Sequence, residues 1–96
     1  VLHVVRFAAD QLEQVIADIN ATGYGLTLGL HSRIAATRRL VEARARLGNF
    51  YVNRNQIGAV VESQPFGGEG LSGTGPKAGG PHYVARFATE RVVCID

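Results

Sequence analysis

Hydrophobic positions in the first part of the chain follow a strand pattern and then a helix pattern. Residues 1–7 are rich in valine, which predicts a β-strand. Asp10 is then expected to cap a helix, with Glu13 at capping-box spacing and Gly23 as its terminator. The apolar positions on one face of this helix are Leu12, Val15, Ile16 and Ile19.

The next segment repeats the same order of elements. Leucines alternate with small or polar residues over residues 25–31, which predicts a short buried strand. Ser32 should cap a second helix that ends at Gly48 and Asn49, and residues 50–52 form a third strand. The buried stripe of this helix is Ile34, Thr37, Leu40, Val41 and Leu47. Alternating strands and helices favour right-handed crossovers, so we predict the α/β class with a parallel β-α-β-α-β core.

Hydrophobic periodicity disappears in residues 53–81, which hold eight of the twelve glycines and all three prolines. The apolar Val60, Val61 and Phe66 argue against disorder, so this segment predicts a long structured loop. Ligands of open α/β sheets bind beyond the carboxyl ends of the strands, which makes this loop the candidate site. A short helix at residues 82–88 and a last strand at residues 91–95 complete the prediction.

Composition and charge narrow the class of protein. The chain is 46% hydrophobic and 19% charged, with a net charge of +2, which is typical of a globular protein of one domain at most. Its arginines predict a solvated helix face and no nucleic-acid partner, because no aromatic residues are interleaved with them. No apolar run could cross a bilayer and no signal-peptide pattern begins the chain, so we expect a cytoplasmic protein. The absence of methionine favours excision from a longer sequence.

Several residues match catalytic or binding patterns only in part. Residues 68–73 read G-x-G-x-x-G, but Pro65 precedes them and Pro76 follows, where a dinucleotide site needs a strand and a helix. Ser72 lacks the second glycine of a serine elbow. Cys94 is predicted to be a buried thiol on the last strand. The scattered histidines are expected to be structural and not metal ligands: His3, His31 and His82.

The loop carries the most specific motifs of the chain. They are YVNRN at 51–55, GAVV at 58–61, QPFGG at 64–68 and LSGTGPKAGGP at 71–81. Together these motifs closely resemble the carboxy-terminal signature of aldehyde dehydrogenases. The long last motif is most similar to L-glutamate γ-semialdehyde (1-pyrroline-5-carboxylate) dehydrogenases, especially the dehydrogenase module of bifunctional proline utilisation A. The resemblance extends over the whole chain.

The resemblance implies a parent enzyme that oxidises L-glutamate γ-semialdehyde to glutamate in proline catabolism, with a cysteine nucleophile, a glutamate base and NAD. In the family the nucleophile and the base lie upstream of this segment, and NAD is bound mainly by upstream sequence. We therefore expect no catalytic, cofactor-binding or metal-binding residue here, and no activity of the 96-residue fragment alone. FAD is expected only if the parent carries a proline dehydrogenase module.

The same resemblance assigns substrate-binding roles to three residues. The amides of Gly58 and Ala59 match the loop that holds the α-carboxylate of the substrate, and Phe66 matches the aromatic wall beside its aliphatic chain. Ala59 leaves only a backbone donor where related enzymes can carry serine. Without the resemblance, Gly58 would be interpreted as a turn residue and Phe66 as core.

The resemblance also implies a division of the chain and a partner. Residues 1–90 would be the carboxy-terminal part of the catalytic domain, and residues 91–96 an oligomerisation flap strand that pairs with the other subunit of a homodimer. Two alternatives remain open at this point. The parent could act on another acidic aldehyde, or the segment could be an isolated non-catalytic folding or interaction module.

Overall fold

The computed structural model describes all residues from 1 to 96. Two helices and four short strands form its regular structure: α1 (Leu12–Ala21), β1 (Tyr24–Gly25), β2 (Thr27–Leu30), α2 (Ala35–Arg44), β3 (Asn49–Val52) and β4 (Glu69–Gly70). Short 3₁₀ turns lie at Ala9–Gln11 and Val84–Phe87. Neither helix has the length and apolar character that a membrane span requires.

The centre of the structure is the β2–α2–β3 unit. Strands β2 and β3 are parallel, with Thr27 opposite Asn49 and Leu30 opposite Val52, so the crossover predicted here is confirmed. The small core contains three buried hydrophobic residues, one from each helix and one from β3: Ile16, Val41 and Tyr51. The loop that follows β3 therefore starts at the carboxyl end of a parallel strand, as predicted.

Helix α1 forms where the sequence predicts it but is capped by other residues. The first turn is 3₁₀, and the side chain of Gln11 accepts a hydrogen bond from the Ala8 N–H at 3.2 Å. The prediction that Asp10 is the N-cap is therefore wrong, because Asp10 already lies inside the first turn. Gly23 follows the helix with a φ of +75°, the left-handed conformation that suits a glycine terminator.

The strand predicted at residues 25–31 is divided between two sheets. Tyr24–Gly25 pairs antiparallel with Glu69–Gly70, whereas Thr27–Leu30 pairs with β3. A Cβ on Gly25 would lie only 2.6 Å from the Arg46 carbonyl oxygen, so the backbones approach closely at this division. The glycine-rich loop, residues 53–81, is thus joined by the β1–β4 pairing to the chain that leaves α1.

Helix α2 is shorter at both ends than the sequence predicts. Ser32 is not its N-cap but accepts a hydrogen bond from the Ile34 N–H at 3.1 Å, before the helix begins at Ala35. At the other end, the Asn20 side chain donates to the Arg44 carbonyl and accepts from the Arg46 N–H, both at 2.8 Å. These bonds hold the chain extended after Arg44. Leu47, Gly48 and Asn49 consequently lie outside the helix, and Asn49 begins β3.

The predicted strands at residues 1–7 and 91–95 are absent from the structure, so the five-element β-α-β-α-β core is not formed by this chain. Both segments lack backbone hydrogen bonds to a neighbouring strand, and their valines are exposed. A strand pattern produces a strand only where another edge supplies partners for its N–H and C=O groups. The Cys94 thiol is consequently exposed and not buried as predicted.

The overall shape reflects these unpaired ends. The radius of gyration is 17.7 Å, whereas a compact domain of this length has about 12.5 Å.

The predicted helix at residues 82–88 is reduced to a single 3₁₀ turn, Val84–Phe87. This turn follows another that is closed by a hydrogen bond from the Tyr83 N–H to the Gly80 carbonyl at 3.2 Å. The histidines predicted to be structural, His3, His31 and His82, are all exposed.

Candidate functional site

The candidate site is built around a tight turn at residues 60–64. Val60 and Gln64 pair antiparallel, with N···O distances of 3.0 and 2.7 Å between their backbone groups. Glu62 at the tip has a φ of +70°, and its N–H donates to the Gly79 carbonyl at 2.8 Å. Gly58 and Ala59 precede this closed turn directly, and Phe66 follows it after one residue. The three predicted substrate-binding residues are thus attached to one fixed element.

Two consecutive N–H groups before the turn have no acceptor within the chain. The Ile57 N–H donates to the Asn55 side chain at 3.2 Å and the Val60 N–H donates to Gln64, but the amides of Gly58 and Ala59 between them donate to nothing. Both residues are exposed. Gly58 has a φ of +92°, a conformation that glycine adopts easily and that turns the backbone sharply. Such turns can present successive amides to one anion.

A positive charge lies close to these amides in sequence and is held in place. The Arg54 guanidinium stacks over the Tyr51 ring at 4.7 Å from its centre. It also donates to the carbonyls of Asn55 at 3.3 Å and Ile57 at 3.5 Å. The backbone immediately before Gly58 is therefore tied to β3 through the arginine side chain. The sequence reasoning missed this role of Arg54.

Phe66 lies on a short bridged segment on the other side of the turn. Its N–H donates to the Ala78 carbonyl at 3.0 Å, and its own carbonyl accepts from the Ala78 N–H at 2.8 Å. The residue is half-buried, so part of its surface is accessible. A fixed backbone with a partly open ring is suitable for one wall of a binding site, but it also fits the interpretation of Phe66 as core.

The sequence of the chain matches known proteins over almost its whole length. Residues 1–93 match the aldehyde dehydrogenase family. The chain belongs to this family. The resemblance predicted from the loop motifs is therefore confirmed, and the chain is a piece of an aldehyde dehydrogenase domain with mixed helix and strand content.

The relatives of the chain within the aldehyde dehydrogenases include bifunctional enzymes. The chain is 61% identical over 89 residues to the bifunctional protein PutA of Rhizobium meliloti, covering 93% of this chain. It is 37% identical over 99 residues to the human mitochondrial delta-1-pyrroline-5-carboxylate dehydrogenase, covering 97% of this chain. A crystal structure of a mutant Bradyrhizobium japonicum proline utilization A superimposes with a TM-score of 0.90 at 66% identity over 94% of this chain.

These relatives are much longer than the chain. It spans 7% of the Rhizobium meliloti protein, 17% of the human protein and 9% of the chain in the Bradyrhizobium japonicum structure. The predicted similarity to bifunctional proline utilisation A is confirmed by the higher identity to those proteins than to the human dehydrogenase.

The glycine motif at residues 68–73 has the geometry of a closed turn in this aldehyde dehydrogenase segment. A Cβ on Gly68 would lie 2.6 Å from the Ser72 Cβ, and one on Gly73 would lie 2.5 Å from the Gly68 carbonyl oxygen. The Ser72 hydroxyl accepts a hydrogen bond from the Gly25 N–H at 3.0 Å. No helix follows whose amides could hold a pyrophosphate. These residues do not fit NAD, and their glycines serve close packing.

Two further side chains contribute to the site and were not predicted from the sequence. The buried Asn49 hydrogen-bonds to the backbone on both sides of Phe66, and the Lys77 ammonium donates to the Gly67 carbonyl. One signal for Asn49 was available. Asparagine is depleted from strands, so an asparagine beside the FYV run of a buried strand indicates a side chain with specific hydrogen-bond partners.

Proposed function

We propose that the chain is part of an NAD-dependent dehydrogenase that oxidises L-glutamate γ-semialdehyde to glutamate in proline catabolism, and that it supplies the anchor for the substrate. Family membership and the relatives named PutA and pyrroline-5-carboxylate dehydrogenase support the reaction class. The observation that carries the anchor role is the pair of free amides at Gly58 and Ala59.

The chemistry of the anchor follows from its free donors. The substrate carries an α-carboxylate at the end remote from the reacting aldehyde, and two adjacent N–H groups can each donate to one of its oxygens. Hydrogen bonds to an ionised acceptor are roughly twice as strong as those between neutral groups. The positive charge of Arg54, four residues before Gly58, favours the same anion. Gly58 and Ala59 therefore bind and orient one end of the substrate.

Phe66 has the complementary role in this proposal. Its ring packs against the aliphatic chain between the carboxylate and the aldehyde and excludes water from it. Holding both parts of the substrate keeps the aldehyde carbon in line for attack by a nucleophile that the upstream sequence provides, and such positioning accounts for a large share of enzymatic rate enhancement. NAD, bound by other parts of the enzyme, would accept the hydride.

Adding a hydroxyl at the anchor should strengthen substrate binding. In the whole enzyme, Ala59→Ser places one more donor beside the two free amides, and we expect KM for glutamate semialdehyde to fall about threefold to tenfold, as for one additional hydrogen bond. The measurement is steady-state NADH formation with the wild type and the variant over a range of aldehyde concentrations.

A substrate without the carboxylate provides the control for this experiment. A straight-chain aliphatic aldehyde of similar length should show the same KM with both proteins, since its end accepts no hydrogen bond. An equal change for both aldehydes, or no change for either, would contradict the anchor role of Gly58 and Ala59. A larger gain for a shorter dicarboxylic semialdehyde would favour the alternative that the enzyme acts on a different acidic aldehyde.

We also propose that the 96-residue chain alone is catalytically inactive. Its one cysteine, Cys94, is exposed on an irregular segment far in sequence from Gly58 and Ala59 and matches no nucleophile position of the family. Incubation of the purified chain with glutamate semialdehyde and NAD should give no increase in absorbance of NADH. Turnover by this chain above the rate of a Cys94→Ser control would contradict the proposal.

The unpaired ends of the chain support a proposal for its place in the whole enzyme. Residues 1–90 would belong to the catalytic domain, where residues 1–7 add a strand to the parallel sheet and complete the β-α-β-α-β core. Residues 91–96 would form a flap strand that pairs with the partner subunit of a homodimer. Val1, Val92 and Ile95 are all highly exposed in the isolated chain, as expected for strands without their partners.

A further inference from the structure

The Asn49 side chain is a buried polar group beside the candidate site, and both its polar atoms are hydrogen-bonded. It is only 9% exposed. Its Nδ2 donates to the Pro65 carbonyl at 2.9 Å, and its Oδ1 accepts from the Gly67 N–H at 3.0 Å. These two backbone groups flank Phe66 directly. One planar amide therefore satisfies the main chain on both sides of the aromatic residue.

The opposite edge of the same segment is also held. The Phe66 N–H and carbonyl bond to Ala78 at 3.0 and 2.8 Å, and the Lys77 ammonium donates to the Gly67 carbonyl. Five consecutive backbone polar groups from Pro65 to Gly67 thus have partners, some from β3 and some from residues 77–78. With its backbone fixed from two directions, Phe66 has little freedom to move its ring except by rotation about its side-chain bonds.

We propose that Asn49 is a positioning residue for the substrate, acting through Phe66. This inference rests on the proposed function, in which the Phe66 ring is the wall beside the aliphatic chain of the aldehyde. The short planar amide of asparagine carries both a donor and an acceptor, so it pairs at once with the carbonyl before Phe66 and the N–H after it. An apolar residue would leave both part-buried groups without their partners, and the segment would shift to rehydrate them.

Asn20 provides a matched comparison within the same chain. Its amide makes the same two bonds around Ala45, to the Arg44 carbonyl and from the Arg46 N–H, at 2.8 Å each. These two bonds join α1 to the end of α2, and Asn20 forms no hydrogen bond with residues 58–66. The loss of either amide removes two side-chain hydrogen bonds, but only the loss of Asn49 releases the backbone at Phe66.

The test compares Asn49→Ala with Asn20→Ala in the whole enzyme. We expect Asn49→Ala to lower kcat/KM for glutamate semialdehyde about fivefold or more, as for one or two lost hydrogen bonds, with KM for NAD unchanged within twofold. Asn20→Ala should keep both kinetic values near those of the wild type, although the loss of its two hydrogen bonds should lower the midpoint of thermal inactivation. If Asn49→Ala does not fold, Asn49→Thr, which keeps one polar group in the strand, should show a smaller loss of the same kind.

The outcomes separate this inference from the proposed function. Combining Asn49→Ala with Phe66→Ala should cause no further loss of kcat/KM beyond Phe66→Ala alone, because the ring that Asn49 positions is already missing. Additive losses, or equal kinetic losses for the Asn49 and Asn20 variants, would overturn the positioning role. If Phe66→Ala lowers kcat/KM and Asn49→Ala leaves it unchanged, only the Asn49 inference fails. If Phe66→Ala itself has no kinetic effect, the proposed contact of the Phe66 ring with the aliphatic chain of the substrate is wrong.

Discussion

Replacing Phe66 with alanine in the whole enzyme is expected to lower kcat/KM for glutamate semialdehyde by about tenfold or more. Phe66 is half-buried and its backbone is bonded to Ala78 and Asn49, so in the proposed site its ring would present an apolar surface to the substrate. Without it, water enters beside the aliphatic chain and the aldehyde samples orientations from which attack is slow. Steady-state kinetics of NADH formation, with KM and kcat determined separately, measure the effect.

Two variants distinguish a binding wall from a packing residue. Phe66→Leu keeps an apolar side chain and should recover part of the lost efficiency. Phe87→Ala removes the same ring from the 3₁₀ turn at Val84–Phe87, which the proposal places outside the site, and should leave kcat/KM unchanged. If Phe66→Ala lowers the midpoint of thermal inactivation but leaves kcat/KM for the aldehyde at the wild-type value, Phe66 is a core residue and the proposal is wrong.

The central unit of the fold could be predicted from the sequence because its signals are local. Helix α1 has a clear apolar face and a glycine terminator, and the β2–α2–β3 order specifies a parallel crossover. The error at the carboxyl end of α2 has a long-range cause. Asn20, which is distant in sequence, satisfies the backbone at Arg44 and Arg46, and no local pattern reveals such a partner.

The two terminal strands could not be predicted correctly from periodicity. Residues 1–7 and 91–95 have the valine content of strands, but they form no backbone hydrogen bonds with another strand of the chain. Hydrophobic pattern describes what a segment can bury, whereas strand formation depends on a second backbone. The same distinction explains why Cys94 is exposed although its neighbours are apolar.

The candidate site was predictable to a different extent for each residue. A resemblance assigned the substrate-binding roles of Gly58, Ala59 and Phe66. The structure adds that the amides of the first two are free and that a closed turn separates them from Phe66. That assignment stays a prediction until the kinetic tests are made. Asn49 and Arg54 were missed, because their roles depend on hydrogen bonds and a ring stack that form only after β3 and the loop pack together.

Gly48→Ala should be strongly destabilising in the whole enzyme. A Cβ at this position would lie 1.8 Å from the Gly67 carbonyl oxygen, far inside van der Waals contact, and 2.7 Å from the Gly68 Cα. Both neighbours are backbone atoms, so relief requires the loop to move as a unit. Overpacking of this kind typically costs about 2 kcal/mol or more. We expect a lower midpoint of thermal inactivation, together with a fall in kcat/KM because Gly67 follows Phe66 directly.

Gly75→Ala is the matched control for this substitution. A Cβ on Gly75 would meet only the Arg86 Nε, at 4.0 Å, and Gly75 does not have a positive φ. Its midpoint and kcat/KM should therefore stay close to those of the wild type, so the two variants differ in local space and not in the type of change. A Gly48→Ala enzyme as stable as Gly75→Ala would contradict the close packing of Gly48 against Gly67 and Gly68. It would equally contradict the Asn49 bonds to Pro65 and Gly67, because they span the same gap.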